Sequence, residues 1–514
     1  MERNETFALE NPISKLTGKP RCELTREDLI NVVIEQQIER ITFHYTGLDG
    51  KIKELRLPIT SRRQLETILT DGERVDGSSL FKGIVDAGKS DLYVVPQYSS
   101  AFLNPFEENS LDFVCRFLTR EGELAPYTPD NILRRAAESL KKNTGLELHA
   151  LGELEFFMIM DGYDDLYQLK SQKGYHQAAP FVKGSEMLNE MVNIIAQVCG
   201  NVKYAHHEVG AIKNLQSTFS EIDGKCAEQV EVEFLPTPIE ETADNMILAK
   251  WITRNVGYRY NTLVTFIPKL EIGHAGNGMH FHTQLMKDGK NIMCQENGEL
   301  SEDAQALIGG FCQYAPSLTA FGNQVPSSYL RLVPNQEAPT NVVWSEMNRS
   351  ALIRVPLAWT ACENLTKLVN PQQEADLEYK PVRQTVELRS PDGSAFVHLL
   401  LAGMTMAAEW GLTNKKDALD ICENCHVTTN IHSSGSQQDF GELATSCAES
   451  SEKLLQVRSL YERDGIFPPQ VISYFSQKLR VMNDEDLNNR LMSLTEEERH
   501  FQQRRIMHRD IYKH

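Results

Sequence analysis

The sequence predicts an α+β protein of two unequal parts, and three observations carry that reading. Two alternating runs, ERITFHYTG and KIKELRLP, flank LDG, and alternation around a glycine-containing turn marks a β-hairpin. YTPDNILRRAAESLKKNTG has the punctuation of one helix: Thr128 as cap, Pro129 in the first turn, Gly145 after the end. Beyond it, strand-like and helical stretches alternate irregularly, and from about residue 397 the chain reads as mostly helical. With 514 residues, 41% of them hydrophobic, the chain can bury a large core.

The elements follow in order. Residues 1–20 read as a flexible lead. LTREDLINVVIEQQ offers a helix capped by Thr25, with Leu29, Val32, Val33 and Ile38 on its apolar period. The hairpin comes next, then a short helix at SRRQLETIL and a loop at VDGSSLFKG, which completes a small α+β domain over 21–125. A larger domain spans 126–514 and turns mostly helical from about 411. Long helices are expected at EETADNMILAKWITRNVGYRY, VHLLLAGMTMAAEWGL and SCAESSEKLLQVRSLYERDG, and a solvated helix face over Thr495–Arg505.

Composition excludes several function classes. A net charge of −19 argues against a nucleic-acid partner, because phosphate backbones need a basic face. The N-terminus has no signal-type apolar run and no stretch of about 18 apolar residues occurs, so no membrane span is expected. Ten scattered cysteines then read as free thiols, and a cytoplasmic location follows. CENCH, Cys422 to His426, matches a haem-attachment spacing and contains a redox-type CxxC; chance spacing at a helix end competes with both.

Chemistry gathers in pairs two residues apart, which share one face of a strand. GELEFF carries Glu153 and Glu155, EVEF carries Glu231 and Glu233, MHFHT carries His280 and His282, and VELRS carries Glu387 and Arg389. Any one pair reads as a solvated strand face. Four pairs, with Glu208 of HHEVG added, point to one site, where converging carboxylates repel unless a cation compensates. Oxygen ligands with one or two imidazoles suit Mg2+ or Mn2+ better than zinc. Arg331, Arg349 and Arg354, with Glu337 between them, add the guanidinium groups that phosphoryl transfer uses. There is no GxxxxGK[ST] and no kinase-type glycine loop, so a nucleotide is held in another way.

Nine ordered motifs carry a family resemblance: VDGSSLFKG, GELEFF, GYHQ, HHEVG, EQVEVEF, NGMHFH, SSYLRLVPNQEAP, NRSALIRVP and VELRSPD. The chain resembles glutamine synthetase, the bacterial type I-like form most, from about residue 30 to 410. The resemblance implies a β-grasp N-terminal domain and a catalytic domain of antiparallel sheet with surrounding helices. It implies ligation of ammonia to L-glutamate with ATP as co-substrate, through γ-glutamyl phosphate. It also implies two or more Mg2+ or Mn2+ ions per site, and a homo-oligomer, a dodecamer of two hexameric rings, whose sites are closed by a neighbour's N-terminal domain. Glu155, Glu208 and Glu231 would hold one metal; Glu153, His280 and Glu387 the second. His282 would face the ATP phosphates and Arg354 would contact ATP. Arg331 would take the glutamate α-carboxylate, with Gly276 in the loop beside it; Arg349 and Arg389 would take the transferring phosphoryl group. Asp76, in the loop with Ser79, would help deprotonate ammonium in a pocket completed by Tyr175, Glu208 and Glu337.

The chain departs from the family pattern at four places. Ala275 stands where the family usually has Asn, Thr385 where it has Arg, and Met347 at another common Arg; Arg383, two residues before Thr385, shares its strand face in this reading. About 15 extra residues within AIKNLQSTFSEIDGKCA separate Glu208 from Glu231; they read as a surface loop, with a regulatory or subunit contact as the alternative. Two other functions stay open. One is a γ-glutamyl–amine ligase that uses a larger amine. The other is a non-catalytic structural or regulatory relative.

Overall fold

The computed structural model describes residues 7–85, 88, 90–162, 166–333, 339–358, 365–373, 382–428 and 440–513. Glu337 lies outside them.

The N-terminal sheet comprises β1 (Arg40–Thr46), β2 (Ile52–Pro58), β3 (Glu73–Asp76), β4 (Asp91–Pro96), β5 (Phe102–Leu103) and β6 (Ser110–Leu118). Its order is β2-β1-β6-β4-β3, with β5 paired to β6. The β1–β6 pair is parallel and the other pairs are antiparallel, a β-grasp arrangement. The expected hairpin is β1–β2, and Gly50 takes the positive φ of 74° that its turn needs. Thr25 caps the helix Arg26–Glu35 through a capping box with Asp28, and Leu29, Val32 and Val33 face the core. The lead differs from expectation. Asn11 caps a short helix, Pro12–Thr17, whose Ile13 is fully buried, because an Asn–Pro pair is a helix start.

The second sheet adds β7 (Glu147–Met160), β8 (Val202–Ile212), β9 (Cys226–Phe234), β10 (Thr237–Pro238), β11 (Leu263–Thr265), β12 (Phe281–Lys287), β13 (Lys290–Asn291), β14 (Trp344–Glu346), β15 (Ile353–Val355) and β16 (Val386–Leu388). The strand order is β14-β15-β16-β12-β7-β9-β8. Among the described strand pairs of this sheet, only β14–β15 is parallel. The helices Pro129–Thr144, Ile239–Arg259, Glu302–Gly322 and Val397–Thr413 support it, and one apolar core runs through both sheets. Thr128 precedes its helix as expected, but its hydroxyl bonds the Ala125 carbonyl instead of capping. The helix expected over SCAESSEKLLQVRSLYERDG is two helices, because Val457 leaves the helical region at φ −114°, ψ 19°.

Buried charge joins the parts. Arg116 of β6 pairs with Asp244 of Ile239–Arg259 at 2.6 Å, and His398 approaches the same carboxylate at 3.3 Å. The insertion between β8 and β9 is not an inert loop. Leu215 and Ile222 are fully buried with Phe157, Ile267, Leu270 and Ile511, so its apolar residues dock the C-terminus. Ser217 bonds His508 at 2.9 Å, and the other ring nitrogen of His508 bonds the Leu270 carbonyl at 2.9 Å. The C-terminal helix Glu496–His508 is accordingly solvated in its first turns and buried at Met507 and His508. CENCH sits at the end of the helix Lys415–Asn424, where His426 stacks on Trp344 and the Trp344 indole N–H donates to the Cys422 carbonyl at 2.6 Å. The nine described cysteines are free, and no described helix is long and apolar enough to cross a membrane.

Candidate active site

Strand register builds the site. Opposite residues in an antiparallel pair share a face. Glu155 lies opposite Glu231 and Glu153 opposite Glu233 across β7–β9; His206 lies opposite Glu231 across β8–β9. On the other side, His282 lies opposite Glu387 across β12–β16, and Arg354 lies opposite Glu387 across β15–β16. Two rows of acids and bases thus converge on β7. A bulge between His207 and Ala211 breaks the β8–β9 register and carries Glu208, re-aiming it at the site.

Apart from Glu233 and His282, these side chains line a cleft of about 1110 Å³ that also holds Tyr175, Gly276, Arg331, Arg349 and Arg389. Both imidazoles of the HFH strand engage one carboxylate: His280 Nδ1 lies 2.7 Å and His282 Nε2 2.9 Å from the two oxygens of Glu153. His282 is buried beneath the cleft lining, and its other nitrogen meets Thr385 Oγ1 at 3.1 Å. So Thr385 supports an imidazole, whereas Arg383 is exposed and precedes the three-residue β16, too far back to share its face. Glu387, fully buried, is clasped by Arg354 at 2.8 Å and Arg389 at 2.5 Å. The Arg331 guanidinium is fixed by the Ser390 carbonyl at 2.9 Å and the Arg389 carbonyl at 3.3 Å. Gly278 must lack a side chain here, since a Cβ would stand 2.6 Å from His280 Nε2 and 2.9 Å from Arg331 Nη2.

Electrostatics divide the acids. Burial and the facing Glu231 and Glu208 push the Glu155 carboxyl well above its usual range. Burial, Glu153 and Glu208 do the same to Glu231. Burial would also raise Glu153, but hydrogen bonds from His280 and His282 hold it well below. Against the same cost of burial, Arg389 and His282 keep Glu387 low. Buried carboxylates that oppose one another in this way fit a divalent cation, which would remove the repulsion. Four groups of three ligand atoms lie close enough: Glu153–Glu155–His280, Glu153–His282–Glu387, His206–Glu208–Glu231 and Glu153–Glu231–Glu233. The six residues expected from the sequence as metal ligands are spread over these groups, and neither expected set, Glu155–Glu208–Glu231 or Glu153–His280–Glu387, forms one of them.

His206 and Gln229 join the site without having been expected from the sequence. His206 stands two residues before Glu208, the same spacing as the expected pairs. Gln229 Nε2 donates to Glu155, to the Gly276 carbonyl and to Asn277, and so ties the acidic row to the loop at 275–277. The Tyr175 ring lies 4.3 Å from that of His176, tilted by 32°, and meets His206 edge-on. Met347 is exposed, and the Ala275 N–H donates to Gln172. Asp76 and Ser79 do not line the cleft of their own chain. Asp76 is exposed at the start of the helix Gly77–Leu80, where hydrogen bonds from Ser79 and Ser78 hold its carboxyl down at about 2.

Residues 126–494 match the family model described as the glutamine synthetase catalytic domain, and residues 37–120 match that of the glutamine synthetase beta-Grasp domain. A glutamine synthetase of Thermus thermophilus is 30% identical over 402 residues, covering 76% of this chain and 81% of its own. One from Pyrococcus horikoshii is 31% identical over 382 residues, covering 74% and 76%. Among solved structures, Plasmodium falciparum glutamine synthetase aligns at TM-score 0.71 and 20% identity, over 93% of this chain and 98% of its own. A GmaS/ADP complex aligns at TM-score 0.69 and 20% identity, over 92% and 98%. At that identity the two structures show a shared fold.

Proposed function

Because the chain belongs to the glutamine synthetase family, we propose that it ligates ammonia to L-glutamate, using ATP and passing through γ-glutamyl phosphate. The observation that carries this reading is the composition of one cleft, in which buried carboxylates and Arg331, Arg349, Arg354 and Arg389 come together.

A carboxylate is a poor electrophile until its oxygen is phosphorylated. Divalent metal held by the acidic groups would supply the charge neutralisation that transfer from ATP requires. The protein's own residues do the rest. Arg331, its guanidinium fixed by two backbone carbonyls, presents N–H donors to the α-carboxylate of glutamate. Arg349 stands exposed at the cleft, free to follow the phosphoryl group. Arg354 and Arg389, held by Glu387, keep fixed positive charge where negative charge accumulates.

Ammonium must lose a proton before it attacks the acyl phosphate. Asp76, supplied by a neighbouring copy, reaches the amine pocket beside Tyr175 and Glu208. Held near 2, its carboxyl is a strong anionic anchor for ammonium in the free chain and gains basicity only if its serine bonds loosen on docking. Closure excludes water, which would otherwise hydrolyse the intermediate.

The test is phosphate release with MgATP and L-glutamate, with ammonium or with a panel of primary amines. Stimulation by ammonium supports the proposal. Stimulation only by a larger amine makes the chain a γ-glutamyl–amine ligase, and no turnover from a folded oligomer makes it a non-catalytic relative.

A further inference from the structure

A second cavity, of about 230 Å³, lies apart from the acidic cleft, between the β1–β2 turn, the helix Ile239–Arg259 and the C-terminal residues. Its charged lining is mostly cationic, whereas the cleft mixes acids with arginines and lysines. Lys51, Lys250, Arg254 and Lys513 line it, with Asp49 as the one lining carboxylate among the described residues. Asp49 is already engaged by Lys53 at 2.5 Å. A fifth cation, Lys478, stands behind the lining and donates to Gln324 at 2.8 Å. The chain as a whole carries −19, so this is a local inversion of its field.

The cations are built in. Lys250 and Arg254 are one helical turn apart and share a face. Both lie over the Phe266 ring, at 4.8 and 4.9 Å from its centroid. Lys250 Nζ donates to the Gly393 carbonyl at 2.7 Å, and Lys51 Nζ to the Tyr512 carbonyl at 3.1 Å. These are neutral partners. Among the described residues no carboxylate pairs with Arg254, whereas the buried Arg116, Arg354 and Arg389 each have one. The electrostatic consequence is visible in the groups themselves. Burial and the nearby Arg254 push Lys250 well below its usual value, burial lowers Arg254 to about 10, and burial with Lys513 lowers Lys478 to about 8. Asp510 approaches Lys513 at 3.9 Å and the buried Asp392 acts on Lys250, yet the clustered, partly desolvated cations outnumber these carboxylates, an arrangement that an added anion would relieve.

We propose that this cavity binds a compact oxyanion of two or more charges, of the phosphate or short-dicarboxylate class. Its volume falls below the roughly 300–1,000 Å³ of pockets that take drug-sized ligands, so a whole nucleotide does not fit. The planar guanidinium of Arg254 offers paired donors to two oxygens, and the lysines supply point charges around them. Because the lining comes from the N-terminal hairpin, the helix under the second sheet and the C-terminus, an occupant ties three parts of the chain together.

The experiment is calorimetric titration of the full-length protein, in EDTA, with inorganic phosphate, pyrophosphate and succinate in separate runs. Saturable binding is expected for at least one probe, and the tightest probe assigns the class. Arg254→Gln and Lys250→Met should each weaken it by at least about tenfold, while Arg349→Ala in the acidic cleft leaves it within about twofold. The rim variant Lys51→Gln/Lys513→Gln, which touches no buried side chain, should weaken it in the same direction if the buried variants fold poorly. Absence of saturable binding by all three probes overturns the proposal. So does binding that Arg349→Ala removes and Arg254→Gln spares.

Discussion

Glu387 stands between two guanidinium groups and two imidazoles with no water contact of its own. Replacing it with Gln leaves Arg354 and Arg389 buried without their anion. The expected result is a loss of phosphate release on the order of a hundredfold or more, from a chain that still folds by circular dichroism. Gly278→Ala tests geometry without changing charge: the added Cβ collides with His280 and Arg331, so activity should fall while the melting temperature moves little. Asp244 gives a pH prediction. Burial opposes its ionisation, but Arg116 and His398 hold its carboxyl below the ordinary range. A depressed carboxyl stabilises the fold above its unfolded pKa of about 3.9, and that contribution is lost as pH falls through the folded value. Thermal unfolding of Asp244→Asn should therefore start about 3–5 kcal/mol less stable at neutral pH and show a shallower acid limb below about pH 4. At this scale the i, i+2 acids and imidazoles were legible because charge on a strand face is a strong signal. Gln229 was not, since a neutral amide leaves no charge pattern.

Elements of ordinary length were legible for the same reason that they are stable. The helices at 26–35 and 129–144 and the β1–β2 hairpin repeat their period several times. The strands β14, β15 and β16 at one end of the sheet have three residues each, too few to show a period, and only tertiary packing makes them strands. The insertion after β8 was misjudged although Leu215, Phe219 and Ile222 were visible in it. An apolar spacing of that kind says that something docks, not what docks. In the structure it receives the C-terminal helix, and His508 and Arg504 then hold Leu270 and Glu271, next to the loop that lines the cleft. His508→Ala should cost about 1–3 kcal/mol in thermal unfolding. It should also raise the KM for glutamate more than it lowers kcat, with His508→Gln restoring part of the affinity. An unchanged KM would separate the C-terminal helix from the substrate loop.

Across the whole molecule, the larger part of the chain presents a cleft lined by metal-type ligands and arginines, while Asp76 and Ser79 stand exposed in the N-terminal part. That separation is what a site shared between copies requires. The prediction is complementation. Asp76→Ala and Arg349→Ala proteins, each inactive alone, should regain roughly a quarter of the wild-type activity when co-assembled at random, because some clefts then receive both intact halves. No recovery from a mixed oligomer would place Asp76 outside the reaction. The reading of the chain as an ammonia ligase is tested most directly by product analysis with 15N-ammonium, L-glutamate and MgATP. Glutamine carrying the label in its amide, formed one for one with phosphate, is the expected product. Phosphate release without labelled glutamine, or amide formation only when a larger amine replaces ammonium, would contradict that reading.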